Sequence, residues 1–170
     1  MKSPKPLIVI TLALGLLTLN SCKKDKQEAV IYFTASINGT ATTFNTDAAA
    51  IVSTYEGNTL TTLKGTAKDG SILTISILGT PIAGKTYSDA EANDDDRPLM
   101  LITPPGDADS FLNYDDDLSN LPGVTINAVS STTVSGTFKG TLAGGVTIGG
   151  ENNFPKKVIT DGKFSLNIVK

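Results

Sequence analysis

Residues 132–142 read TTVSGTFKGTL, and their alternation decides the fold class. Successive side chains of a β-strand point to opposite faces, so every second residue shares a face. One face of this stretch is polar, and the other carries apolar side chains and two glycines. We therefore predict a half-buried strand, with Val134, Gly136, Phe138, Gly140 and Leu142 inward and Thr133, Ser135, Thr137, Lys139 and Thr141 outward.

The same two-residue period recurs along the chain. Dipeptides such as Asn38-Gly39 and Asp69-Gly70 favour tight turns, and Asp161-Gly162 is read as a third turn signal before the last strand. No segment after residue 21 shows helical periodicity over eleven residues. We predict strands at residues 30–38, 59–68, 71–78, 124–129 and 132–142, and a last strand with Phe164, Leu166 and Ile168 inward.

This pattern predicts an all-β fold. Threonine content, hairpin dipeptides and antiparallel alternation favour a single antiparallel β-sandwich of about eight to ten strands, with a flattened barrel as the alternative. About 140 residues are enough for one domain with a core of its own, and we assign residues 30–170 to it.

The N-terminus has the pattern of an export signal. Lys2 and Lys5 precede an apolar stretch at residues 7–19 (LIVITLALGLLTL), which is shorter than the about 20 residues that span a bilayer. The following residues, Leu19-Asn20-Ser21-Cys22, resemble a lipobox, where bacterial lipoproteins are lipidated and cut. We predict removal of residues 1–21 and lipidation of Cys22, the chain's single cysteine; the alternative is an ordinary signal peptide with a chance cysteine.

Lipid on Cys22 would hold the domain close to a membrane. Two acyl chains anchor a protein stably where one does not, and the polar tether of residues 23–29, which follows the lipidated Cys22, spans at most about 25 Å. Removal of residues 1–21 takes away two lysines and no acid, which leaves 12 basic and 17 acidic side chains and a net charge of −5. This balance disfavours nucleic acid as a partner.

Three short motifs support a family resemblance. TASING at residues 34–39, VSGTF at 134–138 and ITDGKFS at 159–165, after a lipidated cysteine, resemble a family of small all-β lipoproteins of unknown function from Bacteroidota. The resemblance implies an all-β fold and attachment to the cell envelope, and it supplies no catalytic residue. Because residues 23–28 mix lysines and acids, we expect outer-membrane attachment without a choice between the periplasmic and the outer side.

Residues 79–86 (GTPIAGKT) match the phosphate-binding loop pattern G-x-x-x-x-G-K-[ST]. That loop needs a helix starting at its lysine and a Mg²⁺-binding aspartate after a neighbouring strand. An acidic stretch follows Thr86 instead, and the apolar strand at 99–103 ends in two prolines. We therefore interpret residues 79–86 as a connection between strands and expect no nucleotide.

Ten of the 17 acids lie between Asp89 and Asp117. Ca²⁺ takes six to eight oxygen ligands, and Asp-x-Asp pairs have suitable spacing, but the glycine and distal glutamate of a calcium loop are missing. We interpret the segment as a solvated acidic rim, with calcium as the alternative. The calcium candidates are Asp94, Asp96, Asp107, Asp109, Asp115 and Asp117.

Catalytic groups are few. The chain has no histidine, and its cysteine is assigned to lipid, so we expect no imidazole base and no cofactor. Tryptophan is absent, and Tyr55, Tyr87 and Tyr114 are candidates for exposure. The sequence favours a non-enzymatic binding or structural module with a protein or glycan partner; the alternatives are a lipocalin-like carrier, a calcium-dependent adhesion module and a carboxylate-dependent hydrolase.

Overall fold

The structure, a computed structural model, describes residues 30–88, 97–106, 110–113, 120–144 and 155–170. Within these ranges the chain forms eleven strands and no helix, which confirms the all-β prediction. The strands are β1 (Tyr32–Ile37), β2 (Thr40–Thr43), β3 (Thr46–Tyr55), β4 (Asn58–Thr66), β5 (Ile72–Leu78), β6 (Thr86–Ser88), β7 (Leu99–Thr103), β8 (Phe111–Asn113), β9 (Gly123–Val129), β10 (Thr133–Gly144) and β11 (Lys156–Val169).

All eleven strands belong to one hydrogen-bonded sheet, which divides into two sets. Six strands follow one another in the order β2-β1-β11-β10-β9-β6, and five in the order β3-β4-β5-β7-β8. The second set joins the first twice, where β3 pairs with β11 and β8 pairs with β10. Hydrogen bonds therefore run in a ring through β11, β3, β4, β5, β7, β8 and β10.

One core lies between the two sets of strands. Gly65 of β4 comes so close to β1 that an added Cβ would lie 2.9 Å from the Phe33 ring. The rings of Phe33 and Phe138 are 5.4 Å apart, and Phe164 lies 6.4 Å from each of them. The three rings come from β1, β10 and β11, so the centre of the core is filled by aromatic side chains of the first set.

The predicted inward face of β10 is confirmed. Val134, Gly136, Phe138, Gly140 and Leu142 are all buried. Gly136 is needed there, because an added Cβ would meet the carbonyl oxygen of Thr125 and lie 2.6 Å from the Phe164 ring.

Thr141, predicted to face outward, is instead fully buried. Asn120, in the segment before β9, covers it: the Thr141 amide donates to the Asn120 carbonyl (2.9 Å), and the Asn120 Nδ2 donates to the Thr141 hydroxyl (3.2 Å). A buried hydroxyl costs little when it is hydrogen-bonded in this way.

Two of the three turn predictions are confirmed. Asn38 and Gly39 both have positive φ, as a two-residue hairpin between β1 and β2 requires. Asp69 and Gly70 lie in the turn between β4 and β5, where the Ser71 amide donates to the Asp69 carboxylate (2.9 Å). That hydrogen bond lowers the pKa of the Asp69 carboxyl, because it favours the charged form.

Asp161-Gly162 is not a turn. Both residues lie inside β11, and Asp161 has a φ of 52°. On β1 the register moves by two residues from Thr34 to Ser36, while on β11 it moves by three, from Lys163 to Thr160. The dipeptide therefore forms a β-bulge, which needs the same left-handed conformation as a tight turn.

The architecture combines features of both predicted alternatives. Two sets of strands face each other across a core, as in a sandwich, while hydrogen bonds join them into a ring. The eleven strands exceed the eight to ten predicted, and the pairing is not wholly antiparallel, because β3 runs parallel to β11 with Asn167 opposite Ala49.

Replacement of Phe138 by alanine tests this core. Phe138 is 4% exposed and contacts two other rings, so Phe138→Ala is expected to lower the free energy of unfolding by about 3–5 kcal/mol. Denaturant unfolding of the mature protein measures this. Lys139→Ala, at the exposed neighbouring position, is the control and should change stability by less than about 0.5 kcal/mol. Equal effects of the two variants would contradict the assigned inward face.

Candidate functional site

The site residues predicted from the sequence lie outside the described residues. Cys22 falls in residues 1–29, and the six calcium candidates fall in three further segments. Asp94 and Asp96 belong to residues 89–96, Asp107 and Asp109 to 107–109, and Asp115 and Asp117 to 114–119. Lipidation and cation binding at these positions stay predictions.

Residues 79–86 form a connection between β5 and β6. Strand β6 begins at Thr86, where a phosphate-binding loop continues as a helix. The Gly79 carbonyl accepts from the buried Thr61 hydroxyl (2.8 Å), and Lys85 Nζ lies 4.6 Å from the centre of the Tyr87 ring. The glycines and proline of this motif therefore serve a strand connection, as predicted.

One of the three tyrosines predicted to be candidates for exposure is buried instead. Tyr87 was predicted to be a candidate for exposure, but it is 1% exposed and belongs to the core. It faces inward on β6 beside Val124 of β9. Tyr55 is exposed, at the end of β3, and Tyr114 lies outside the described residues.

The outer face of the six-strand set carries a row of directly opposed polar residues, one from each strand. Strand pairing places Thr34 opposite both Thr43 and Lys163, and Thr137 opposite both Lys163 and Thr125. Thr125 in turn lies opposite Thr86. With strands about 4.8 Å apart, the row is about 24 Å long. We call Thr43, Thr34, Lys163, Thr137, Thr125 and Thr86 the cross-strand row.

Hydroxyl groups of the row contact one another at one end. The Thr86 and Thr125 hydroxyls share a hydrogen bond of 2.9 Å. Each hydroxyl carries one donor and two acceptor sites, so the pair retains capacity for water or a ligand. Beside the row, Tyr32 and Ser135 both lie opposite Ser165, and Tyr32 is 36% exposed. A phenol ring therefore stands next to the hydroxyls.

The bulge of β11 shapes the surface around the row. One hollow, of about 360 Å³, lies over β6, β9, β10 and β11, and a second, of about 440 Å³, lies over β2, β1 and β11. Asp161 and Lys163 line both hollows, so they stand between them. Gly123 and Gly162 line the first hollow and contribute no side chain to fill it.

The described charged side chains that line the first hollow are two lysines and one aspartate. The exposed ammonium groups of Lys139 and Lys163 and the carboxylate of Asp161 line the first hollow. Within the described parts of the chain, none of these three side chains forms an ion pair or a hydrogen bond. The two cations are therefore available to an anionic group, and the hydroxyls to neutral polar groups.

The cross-strand row was not predicted as a site. Alternation correctly placed Thr137 and Lys139 on the outer face of β10, but the row exists only through the register of six strands. Its members come from residues 34, 43, 86, 125, 137 and 163, and no local signal reports that they are neighbours.

Comparisons with protein-family models, with curated proteins and with solved structures found no match. In the described part of the chain, no helix has the length and apolar character needed to cross a membrane.

A thermal melt tests the calcium alternative. If the acids between Asp89 and Asp117 are a solvated rim, Ca²⁺ acts by screening, and NaCl at equal ionic strength should reproduce its effect. We expect this result in melts with EDTA, with millimolar CaCl₂ and with NaCl. A Ca²⁺ site that exists only in the folded state would instead stabilise the domain by about 2.7 kcal/mol at a free Ca²⁺ concentration of 100 times Kd. A shift unique to Ca²⁺ and lost in Asp115→Asn/Asp117→Asn would establish calcium binding.

Proposed function

We propose that this chain is an envelope lipoprotein, anchored through lipid on Cys22, whose domain is a non-enzymatic binding module. The observation that carries the binding role is the cross-strand row, which presents five threonine hydroxyls and a lysine along about 24 Å of exposed sheet. The lipobox-like residues before Cys22 and the Bacteroidota resemblance support the anchor and the outer-membrane address.

The chemistry of the row favours an acidic glycan as ligand. Hydroxyls donate to and accept from sugar hydroxyls, and Lys139 and Lys163 supply two positive charges against the one negative charge of Asp161. Tyr32 adds a ring against which a sugar can pack. A row that crosses six strands also suits an extended polymer better than a compact ligand.

Two alternatives have less support. A lipocalin-like carrier needs an apolar cavity, whereas the centre of this core holds the packed rings of Phe33, Phe138 and Phe164. A hydrolase needs two carboxylates in one cleft. The described carboxylates belong to separate strands and turns, namely Asp47, Glu56, Asp69 and Asp161.

Binding of a polyuronate such as alginate, compared with an uncharged glucan such as dextran, tests the proposed ligand. Lys163→Gln should weaken alginate binding about 10-fold and reduce its salt dependence, because it removes a charged donor. Thr125→Val should weaken it about threefold. Titration calorimetry on the mature protein measures both effects.

Thr62→Val is the matched control for Thr125→Val. Thr62 also shares a cross-strand hydroxyl pair, 3.3 Å from the Ser76 hydroxyl, but it lies on β4 in the other set of strands. We expect unchanged binding in this variant. An equal loss of alginate affinity in Thr62→Val and Thr125→Val would contradict the proposed site. Equal affinity of the protein for alginate and dextran would contradict the proposed ligand.

The anchor has its own test. Cys22→Ser removes the only thiol of the chain, so incorporation of a labelled fatty-acid analogue in cells should fall to background. The Cys22 protein expressed at the same level is the reference. Continued labelling of the serine variant would refute lipidation at Cys22.

A further inference from the structure

Strand directions place many strand termini at the end of the domain where the tether enters. The tether leads into Val30 and then β1, so β1 begins at this end, and its antiparallel partner β11 finishes there. Successive pairings then give the direction of each further strand, namely β10, β9, β3, β4, β5 and β7. We call this the tether end; the strand termini there include Tyr32, Tyr55, Asn58, Leu78, Leu99, Val129, Thr133 and Val169.

The tether end concentrates exposed apolar side chains. Eleven large hydrophobic residues are exposed among the described residues. Besides Tyr32, which lies beside the cross-strand row, seven of them lie at strand termini or connections of this end. Ile51 lies opposite Val169 and extends the group along the sheet. The seven are Val30 (75% exposed), Tyr55 (68%), Ile82 (56%), Leu99 (52%), Val169 (50%), Leu78 (39%) and Val129 (38%).

The opposite end has a different surface. Its described turns are Asn38-Gly39, Asp69-Gly70 and the region of Gly106, which are polar or glycine-containing. Two exposed large hydrophobic residues lie near this end. The Val158 carbonyl accepts from the Asn38 amide (2.9 Å), and Leu112 lies opposite Ala143, close to the end of β10. Exposed apolar area that is concentrated at one end of a domain marks an interaction surface.

We propose that the tether end rests on the lipid bilayer, with these apolar side chains in the interfacial layer. This inference rests on the proposed lipid anchor at Cys22. Residues 23–29 reach at most about 25 Å from the lipidated cysteine, and they join the domain at Val30, within the apolar group. The end that the anchor holds nearest to the membrane is thus the end with the apolar side chains.

Charge at the tether end is compatible with this position. The described charged side chains there are Glu56, Lys85, Arg97 and Lys170, one negative and three positive, which give a net charge of +2. Lys85 lies over the Tyr87 ring, and long lysine side chains keep their ammonium group at the headgroups while their stems lie against apolar surface. Apolar side chains beside such cations are typical of segments buried about 5–10 Å into the boundary between headgroups and acyl chains.

A single tryptophan reports the contact, because the chain has none of its own. Full-length lipidated protein with Ile82→Trp or Tyr55→Trp is placed in phosphatidylethanolamine and phosphatidylglycerol vesicles, with and without lipids brominated on their acyl chains. Both positions are well exposed and lie outside the core, so they tolerate the larger ring. We expect blue-shifted emission and at least about twofold quenching by the brominated lipids.

Val158→Trp is the matched control at the opposite end, and its emission should remain that of a water-exposed ring without quenching. Equal quenching at both ends, or none at Ile82→Trp and Tyr55→Trp in protein shown to be folded by circular dichroism, would overturn the proposal. A blue shift without quenching would also overturn it, because it would show that protein, from a partner or a second copy, covers this end.

Mass spectrometry of the same samples separates the two proposals. Protein without acyl chains on Cys22 would refute the proposed anchor. Protein with acyl chains whose Ile82→Trp and Tyr55→Trp rings are not quenched would refute only the membrane contact of the tether end.

Discussion

Backbone hydrogen bonds of β11 with three neighbours hold the two sets of strands together. This fourteen-residue strand pairs with β10 along one edge, and with β1 and then β3 along the other. Because β1 and β10 belong to the six-strand set and β3 to the other, β11 forms one of the two junctions in the ring. The bulge at Asp161 lets a strand of this length bend while it keeps all three partners.

Packing across the core depends on glycines as much as on rings. Gly65, Gly136 and Gly162 each lie where a Cβ would collide with a neighbouring carbonyl or phenylalanine ring. Their absent side chains let the strands approach the rings of Phe33, Phe138 and Phe164 closely. The alternation of glycine with large residues on the inward face of β10 is therefore a packing requirement, which the sequence shows directly as VSGTFKG.

Sequence alone could predict the elements whose alternation is regular and whose partners are near in the chain. The β4–β5 hairpin and the inward face of β10 belong to this class. Strand β3 was not predicted, because its residues AAAIV do not alternate in polarity. Strands β2, β6 and β8 were not predicted because they are only three or four residues long, too short to show a period. Asp161-Gly162 was misread because a bulge and a turn require the same backbone conformation. Thr141 was misplaced because Asn120, twenty-one residues away, covers it.

Local patterns cannot predict the cross-strand row, because only the register of six strands brings its members together. The direction of the row determines how a bound ligand would lie on the domain. The row runs perpendicular to the strands, while the strands run away from the tether end. Lys163 lies six residues from Val169, or about 20 Å along β11. Strands that close into a ring of hydrogen bonds are tilted to its axis, so the row is oblique to the membrane rather than parallel to it. With the tether end on a bilayer, Lys163 would stand no more than about 20 Å above Val169. The proposed anchor thus leaves the row in water close to the membrane, where an extended polymer can reach it.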